Sequence, residues 1–235
     1  MLGIIIALES ETPNLSNYFE KIKKININGF TCYLTEVLKH NVAIIYSGVG
    51  KANAAAATIS LINNFSVNAI INIGSAGSVS SKLIPGNFFI PNNAQYIDVD
   101  VTGFDYKINQ IPHENETFTL SSKLRLIISE IIKEYQSIFA NGDIGTSDSF
   151  INQKNVKNFQ LQKVLATDME SASIAQVCSK NKIDFACAKF ISDCIYSDGE
   201  SEKQWKNTIN QNNKLMSEII YNICCKYIYT FELTK

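Results

Sequence analysis

Short apolar runs alternate with helix-like segments along most of the chain, and this alternation constrains the fold more than any other feature. Residues 2–7, 69–73 and 185–191 are largely apolar at consecutive positions, which is typical of strands buried on both faces of a sheet. The alanine-rich residues 51–63 and the residues 121–135, with apolar side chains at helical spacing, indicate helices. The sequence therefore predicts an α/β protein, a single domain with a mixed central β-sheet flanked by helices.

Weaker patterns predict the remaining elements. No internal repeat, low-complexity linker or change in composition divides the chain. A hairpin is expected where residues 39–41 separate two β-rich runs. The remaining predicted strands cover residues 30–38, 42–47, 88–91, 94–98, 137–146 and 164–168, and the remaining helices cover residues 169–180 and 202–229.

Composition excludes several classes of partner. The formal net charge of −1 gives the protein no general attraction to nucleic acid or to an anionic membrane. No segment approaches the roughly 20 apolar residues that a membrane span needs, and the first residues lack the features of a signal peptide. The six cysteines form no C-x-x-C pair and show no zinc spacing, so free thiols in a reducing compartment are expected. We expect a soluble, cytoplasmic protein without a metal or a cofactor.

Carboxylates follow three of the predicted strands. Glu11 comes after the first strand, Asp168 and Glu170 come at the end of a later one, and Asp193 ends the last strand. Open α/β sheets bind ligands outside the carboxyl ends of their strands. An acid at a helix start also complements the helix dipole, and this structural interpretation explains each acid taken alone. The occurrence of acids at three strand ends favours acid–base chemistry on a neutral substrate.

Two glycine turns, at residues 47–51 and 74–77, also follow strands. Glycine lets backbone N–H groups approach a ligand, although plain strand-to-helix geometry explains each turn alone. Neither turn has the spacing of a P-loop or of a dinucleotide-binding loop. His40 and His113 have no positioned acid neighbour in sequence, so no Ser/His/Asp arrangement can be built.

Seven motifs occur in order over almost the whole chain, at residues 6–11, 47–51, 72–77, 100–104, 147–152, 168–172 and 191–193. With these motifs the chain resembles the 5′-methylthioadenosine/S-adenosylhomocysteine nucleosidases, which have the nucleoside phosphorylase fold. The resemblance implies hydrolysis of the N-glycosidic bond of 5′-methylthioadenosine and S-adenosylhomocysteine in methionine salvage, a branch of amino-acid biosynthesis. Adenine and the 5′-thio-substituted ribose would be released.

The resemblance also implies roles for individual residues. Asp193 would protonate N7 of adenine, with Ser192 orienting its carboxyl group, and Glu11 would activate the attacking water with help from Ser75. The remaining substrate contacts would come from the Met169 backbone and Glu170 on the ribose hydroxyls, from Phe150 stacking on adenine, from the Ile151 backbone at the adenine edge, and from Leu8, Ala76, Gly77 and Lys189.

A loop would act on the neighbouring subunit. Val101, Phe104 and Pro112 resemble the loop that closes over the 5′-substituent of the partner's substrate, which implies a homodimer. Two residues near the site are interpreted more simply. Trp205 either covers the pocket or only anchors the terminal helix, and the anchor is the favoured interpretation, while Asp168 is expected only to start the helix that follows it.

Alternatives within the same fold stay open at this stage. Phosphorolysis is disfavoured because related phosphorylases hold phosphate with arginines, and the one arginine, Arg125, lies in a predicted surface helix far from every motif. Lys189 stands where relatives commonly carry an arginine, and a lysine can substitute as a point charge. A purine nucleoside phosphorylase, a futalosine-type hydrolase and a non-catalytic nucleoside-binding protein therefore remain as rivals. The sequence also does not rank 5′-methylthioadenosine, S-adenosylhomocysteine, 5′-deoxyadenosine and an aminofutalosine as substrates.

Overall fold

A mixed β-sheet forms the centre of the protein in a computed structural model, which describes residues 1–135, 138–139 and 141–231. The first four strands are β1 (Leu2–Ile6), β2 (Lys23–Ile27), β3 (Phe30–Val37) and β4 (His40–Tyr46). The middle strands are β5 (Ala69–Ser78), β6 (Phe88–Phe89), β7 (Asn93–Tyr96) and β8 (Phe118–Thr119). The last strands are β9 (Ile138–Phe139), β10 (Asp143–Thr146), β11 (Val164–Asp168) and β12 (Asp184–Cys194).

The strand order brings the first and last strands to the middle of the sheet. It runs β2-β3-β4-β1-β5-β11-β10-β7-β8, and β12 pairs with both β5 and β6. Strand β5 is parallel to β1 and to β12 but antiparallel to β11, so the sheet is mixed. The motifs that follow β1, β5 and β12 therefore lie close together, although they are far apart in sequence.

Four helices in the described part of the chain cover the two faces of this sheet: α1 (Lys51–Phe65), α2 (Ser122–Ile132), α3 (Ser171–Asn181) and α4 (Ser201–Phe231). One apolar cluster joins α2 and α4 to the sheet, and a second joins α1 and α3 to the opposite face. In β1, Ile4 and Ile6 pack into the first cluster while Ile5 packs into the second. Side chains alternate across a strand, so a continuous aliphatic run is what a strand covered on both faces needs.

The predicted fold class, a single domain with a mixed sheet flanked by helices, is confirmed. Strand β2 was not predicted, because it contains only two apolar residues, Ile25 and Ile27, among exposed lysines and an asparagine. Strand β5 continues to Ser78, past the predicted end at residue 73. The predicted strand at 137–146 corresponds to β9 and β10, and its residues 137 and 140 lie outside the described part of the chain.

Two further observations concern expectations from composition. None of the helices that the structure describes is long and apolar enough to cross a membrane. All six cysteines are free thiols, and five of them are buried.

Candidate active site

A cavity of about 410 Å³ opens where β1, β5, β11 and β12 end. All of the predicted substrate-binding residues contribute to its wall, as does Glu11. Asp193 and the residues of the predicted partner loop do not line it. The wall is formed by Ala7, Leu8, Glu11, Val49, Asn72, Ile73, Gly74, Ser75, Ala76, Gly77, Ser149, Phe150, Ile151, Thr167, Asp168, Met169, Glu170, Lys189, Ser192, Glu202, Trp205 and Lys206.

Glu11 is held by hydrogen bonds from two segments of backbone. It ends the short 3-10 turn Glu9–Glu11 after β1, and only 3% of its surface is exposed. Its Oε1 accepts from the Ser75 N–H at 2.8 Å and from Ser75 Oγ at 2.9 Å, while Oε2 accepts from the Leu8 N–H at 3.2 Å. The absence of a side chain at Gly74 matters here, because a Cβ there would lie 3.1 Å from Glu11 Oε1. The carboxylate is thus fixed at one side of the cavity.

Trp205 extends this network to the terminal helix. Its indole N–H donates to Ser75 Oγ at 3.2 Å, and Ser75 in turn donates to Glu11. Trp205 also lines the cavity, so the expectation that it only anchors α4 is wrong. Sequence reasoning did not separate the two roles, because the contact with Ser75 joins residues 130 positions apart.

Asp193 lies beside Gly77, at an irregularity in β12. The pairing of β12 with β5 shifts register between Ile191 and Asp193. Such a bulge re-aims the side chains next to it. Ser192 Oγ donates to Asp193 Oδ1 at 2.7 Å, which agrees with the predicted orienting role of the serine.

The Asp193 carboxyl group is completely buried, directly behind the cavity wall. Burial raises the pKa of Asp193 to about 6, against the opposing effects of the Ser192 and Ser201 hydroxyl groups. Its Oδ2 has no hydrogen-bond partner among the described residues and points towards Gly77, where a Cβ would lie 3.0 Å away. Asp193 Oδ2 therefore lies behind Gly77, which has no side chain to separate it from the cavity.

Glu170 lies at the start of α3, between the two acids. Its Oε1 accepts from the Gly50 N–H at 3.0 Å. Gly50 has φ of +101°, which a residue with a side chain rarely adopts, so glycine is needed for this contact. Burial and the nearby negative charge of Asp168 raise the pKa of Glu170 to about 7, although Lys189 opposes the shift. Met169 lies beside it in the cavity wall.

Lys189 and Asp168 form a buried ion pair. Lys189 Nζ lies 2.9 Å from Asp168 Oδ2, and each side chain is 1% exposed. Asp168 Oδ1 also accepts from Thr146 Oγ1 at 2.6 Å, and Oδ2 accepts from Ser171 Oγ at 2.5 Å. Burial lowers the pKa of Lys189, but the carboxylates of Asp168 and Glu170 outweigh this effect and the net shift is upwards.

The network corrects the interpretation of Asp168 as a mere helix start. Asp168 does accept from the Ser171 N–H at the start of α3, as that interpretation requires. In addition, it fixes the lysine at the centre of the site. The pairing was not predictable, because β11 and β12 come together only through the strand order of the sheet.

The remaining predicted residues differ in their exposure to solvent. Phe150 is 38% exposed at the cavity, whereas Ile151 is 4% exposed. In the loop proposed to act on a partner, Phe104 is 78% exposed, and Val101 and Pro112 are half-buried. Arg125 is also half-buried and does not line the cavity, and its guanidinium donates to the side chain of Asn92.

The residues that could ligate a metal are dispersed. Within residues 1–135, 138–139 and 141–231, no three His, Cys, Asp or Glu side chains form a group able to hold a metal ion. The arrangement instead offers one buried acid in the cavity wall, Glu11, a second directly behind the wall, Asp193, and a buried lysine and a third acid that also line the cavity. Such a set can donate a proton on one side and accept one on the other.

Comparison with known proteins gives a consistent result. The family model of the phosphorylase superfamily matches residues 1–224. A protein of Buchnera aphidicola subsp. Schizaphis graminum named 5′-methylthioadenosine/S-adenosylhomocysteine nucleosidase is 37% identical over 212 residues, covering 88% of this chain and 89% of that protein. The crystal structure of the nucleosidase of the same name from Neisseria meningitidis, in complex with methylthio-immucillin-A, has a TM-score of 0.86 at 26% identity and covers 95% of this chain and 98% of that one.

A futalosine hydrolase of Helicobacter pylori shares the fold. Its TM-score is 0.85 at 23% identity, and the match covers 95% of this chain and 96% of that one. At this identity the likeness concerns the fold alone. These structures confirm the expectation of a nucleoside phosphorylase-like fold.

Proposed function

The chain belongs to the phosphorylase superfamily and, within it, to the 5′-methylthioadenosine/S-adenosylhomocysteine nucleosidases, and on this premise we propose that it hydrolyses the N-glycosidic bond of those two nucleosides. The products are adenine and the 5′-thio-substituted ribose. One observation carries the proposal: the hydrogen-bonded Glu11 lines the cavity at Gly74, and the buried Asp193, with a raised pKa, lies directly behind the cavity wall at Gly77. This arrangement suits a reaction that needs a proton donor for the base and a proton acceptor for water.

The leaving base is the first requirement. As the bond from C1′ to N9 breaks, electron density moves into adenine, and protonation at N7 makes the base a neutral leaving group. Asp193 serves as the donor. A carboxyl group with its ordinary pKa is almost fully ionised near neutral pH, whereas a pKa of about 6 keeps a useful fraction protonated. Ser192 holds Oδ1, which leaves the unpartnered Oδ2 for the proton.

The attacking water is the second requirement. Its oxygen bonds to C1′ on the face away from the base, and one of its protons passes to Glu11. Ser75 and the Leu8 backbone fix the Glu11 carboxylate for this transfer. Lys189 adds positive charge next to the developing hydroxide, although its partner Asp168 limits how far it can move.

The substrate must also be oriented. In the proposed complex Glu170 accepts hydrogen bonds from the ribose hydroxyls, helped by the Met169 backbone, and its negative charge stabilises the positive ribose of the transition state. Phe150 stacks on adenine, and the Ile151 backbone contacts the adenine edge. Ala76 and Gly77 lie between Ser75 and Asp193, and they leave room for the base.

Water is favoured over phosphate as the nucleophile. No arginine contributes to the cavity wall in the described residues, and the buried lysine there is already paired with Asp168. A phosphate dianion in the same place would meet Glu11, Asp168 and Glu170 with little compensating charge.

The test is an assay with 5′-methylthioadenosine in phosphate-free buffer. Hydrolysis gives adenine and free 5-methylthioribose in equal amounts, as measured by chromatography of both products. Strict dependence on added phosphate, with a ribose 1-phosphate product, would show a phosphorylase instead. Absence of adenine release under either condition would favour a binding protein.

Assembly and cellular context are part of the proposal. The exposed Phe104, with Val101 and Pro112, supports a homodimer in which this loop closes over the partner's substrate. Light scattering at micromolar concentration is expected to give the mass of a dimer, and a monomer would overturn this point. We also infer a cytoplasmic role in methionine salvage, which deletion of the gene and growth on 5′-methylthioadenosine as sulfur source would test.

A further inference from the structure

Two oppositely charged side chains, Glu202 and Lys206, line the cavity and are exposed at its rim. They are four positions apart in the first turns of α4, so they project from the same side of the helix. Trp205, which is bonded to Ser75 in the cavity wall, fixes this part of the helix over the opening. Adenine and ribose carry no charge that would make use of such a pair.

The two side chains do not neutralise each other. A glutamate four residues before a lysine is the favourable order for a salt bridge on a helix. Here Glu202 instead accepts a hydrogen bond from Asn152 Nδ2 at 2.9 Å. Lys206 has no ion pair among the residues that the structure describes, whereas the neighbouring Lys203 pairs with Glu200 at 3.1 Å. The rim thus presents one fixed negative group and one free positive group.

The position of this pair fits the 5′ end of a bound nucleoside. In the proposed complex the ribose lies at the buried Glu170, and the base lies beside Gly77 with the half-exposed Phe150 against its outer face. A substituent on C5′ then extends towards Val49, Glu202 and Lys206, which are exposed in the single chain, and the loop proposed to come from the partner closes over the same side. An uncharged methylthio group needs only Val49 and similar apolar contacts.

We propose that Glu202 and Lys206 bind the α-ammonium and α-carboxylate groups of an amino-acid tail on C5′, and so favour S-adenosylhomocysteine over 5′-methylthioadenosine. The proposal rests on the proposed function, because it assigns the two charges to the substrate of that same cavity. The tail is zwitterionic, and a neighbouring acid and base on one side of a helix complement both of its charges.

The expected effect is modest because the rim is exposed to water. Ion pairs in such a position change an equilibrium about two- to fivefold each. Loss of both contacts is therefore expected to lower the preference for S-adenosylhomocysteine about tenfold. The preference should also fall at high salt, because screening weakens exposed charge pairs.

The experiment compares Glu202→Gln, Lys206→Met and the double variant with the wild-type protein. The readout is the ratio of kcat/KM for S-adenosylhomocysteine to that for 5′-methylthioadenosine, with calorimetric Kd values for both nucleosides as a second measure. Glu200→Gln and Lys203→Met are matched controls, since they remove the same charges in the same region without altering the cavity wall.

The proposal expects the ratio to fall two- to fivefold in each cavity variant, because kcat/KM falls more for S-adenosylhomocysteine than for 5′-methylthioadenosine, and to stay constant in the controls. A ratio that is unchanged in the double variant, or that falls equally in the controls, would overturn it while leaving the proposed function intact. If the wild-type protein neither binds nor cleaves 5′-methylthioadenosine, the proposed function fails. If it also fails to bind S-adenosylhomocysteine, the assignment of the two rim charges fails with it.

Discussion

At the scale of single residues, Asp193 and Glu11 are both buried carboxyl groups with different surroundings. Glu11 accepts hydrogen bonds at both oxygens, whereas Asp193 accepts one from Ser192 and has a free Oδ2. The first environment suits a group that receives a proton, and the second suits a group that gives one away. The opposite roles proposed for the two acids follow from this difference.

Replacing either acid by its amide should nearly abolish turnover. Asp193→Asn removes the transferable proton from the base side, and Glu11→Gln removes the acceptor for the proton of water. Each variant is expected to lose at least about 100-fold in kcat, the usual scale of a general acid or base. Steady-state adenine release gives the rates, and unchanged circular dichroism shows that the variant is folded. Near-normal turnover would remove that residue from the mechanism.

The pH dependence follows from two raised pKa values. Asp193 must be protonated, so activity falls as pH rises above its pKa of about 6. Glu170 must be ionised to accept the ribose hydroxyls, so activity falls as pH drops below its pKa of about 7. The plot of kcat/KM against pH should therefore be a bell with its maximum between these values.

The pH profiles of two variants, measured on their residual activity, assign each decline of the bell to one group. Asp193→Asn should lose the decline at high pH, and Glu170→Gln should lose the decline at low pH. A profile that stays flat between about pH 5 and pH 8 contradicts the assignment of both groups.

At the scale of elements, the site depends on how β5 and β12 pair. Their parallel contact places Gly74 and Gly77 of one strand beside the acids, and the irregularity at Ser192 aims Asp193. A one-residue shift in pairing would reverse the side of the sheet on which these groups point. The strand pair therefore sets the distance between donor and acceptor.

Adding a methyl group to either glycine should disturb one acid at a time. In Gly77→Ala the new Cβ would lie 3.0 Å from Asp193 Oδ2, and in Gly74→Ala it would lie 3.1 Å from Glu11 Oε1. Both variants are expected to lose about tenfold or more in kcat, because displacement of a catalytic group by less than 1 Å is costly. Only Gly77→Ala should shift the decline of activity at high pH. An equal shift in both variants would show that the glycines act through general loosening of the sheet.

The sequence predicted most of these elements, because consecutive aliphatic residues and helical spacing are local patterns. All of the predicted substrate-binding residues line the cavity, and they were indicated by the resemblance to the nucleosidases. The pairing of Lys189 with Asp168, the contact of Trp205 with Ser75 and the irregularity in β12 were not predictable. Each depends on residues that are brought together only when the sheet is assembled.

At the scale of the whole molecule, the site concentrates negative charge in the interior. Glu11, Asp168 and Glu170 are all buried around Lys189. Burial of unpaired charge is costly. Both the stability and the activity of the protein are therefore expected to depend on this lysine.

Removal of the lysine should destabilise the fold. Lys189→Met leaves Asp168 buried without its cation, and the free energy of unfolding is expected to fall by about 3–5 kcal/mol. Urea unfolding at a fixed protein concentration measures the change. The additional substitution Asp168→Asn should restore part of the loss, because it removes the unpaired charge. A loss below about 1 kcal/mol in the single variant would mean that water or a counter-ion replaces the lysine.

The contact of Trp205 with Ser75 has a consequence for protein synthesis. Asp193 and Trp205 follow Glu11 by 182 and 194 residues, so they leave the ribosome long after it. A nascent chain that ends before Asp193 therefore contains the proposed proton acceptor but neither the donor nor the tryptophan that adjoins Ser75. The proposed catalysis is thus withheld from incomplete translation products, because α4 must fold against β5, which carries Ser75, to finish the site.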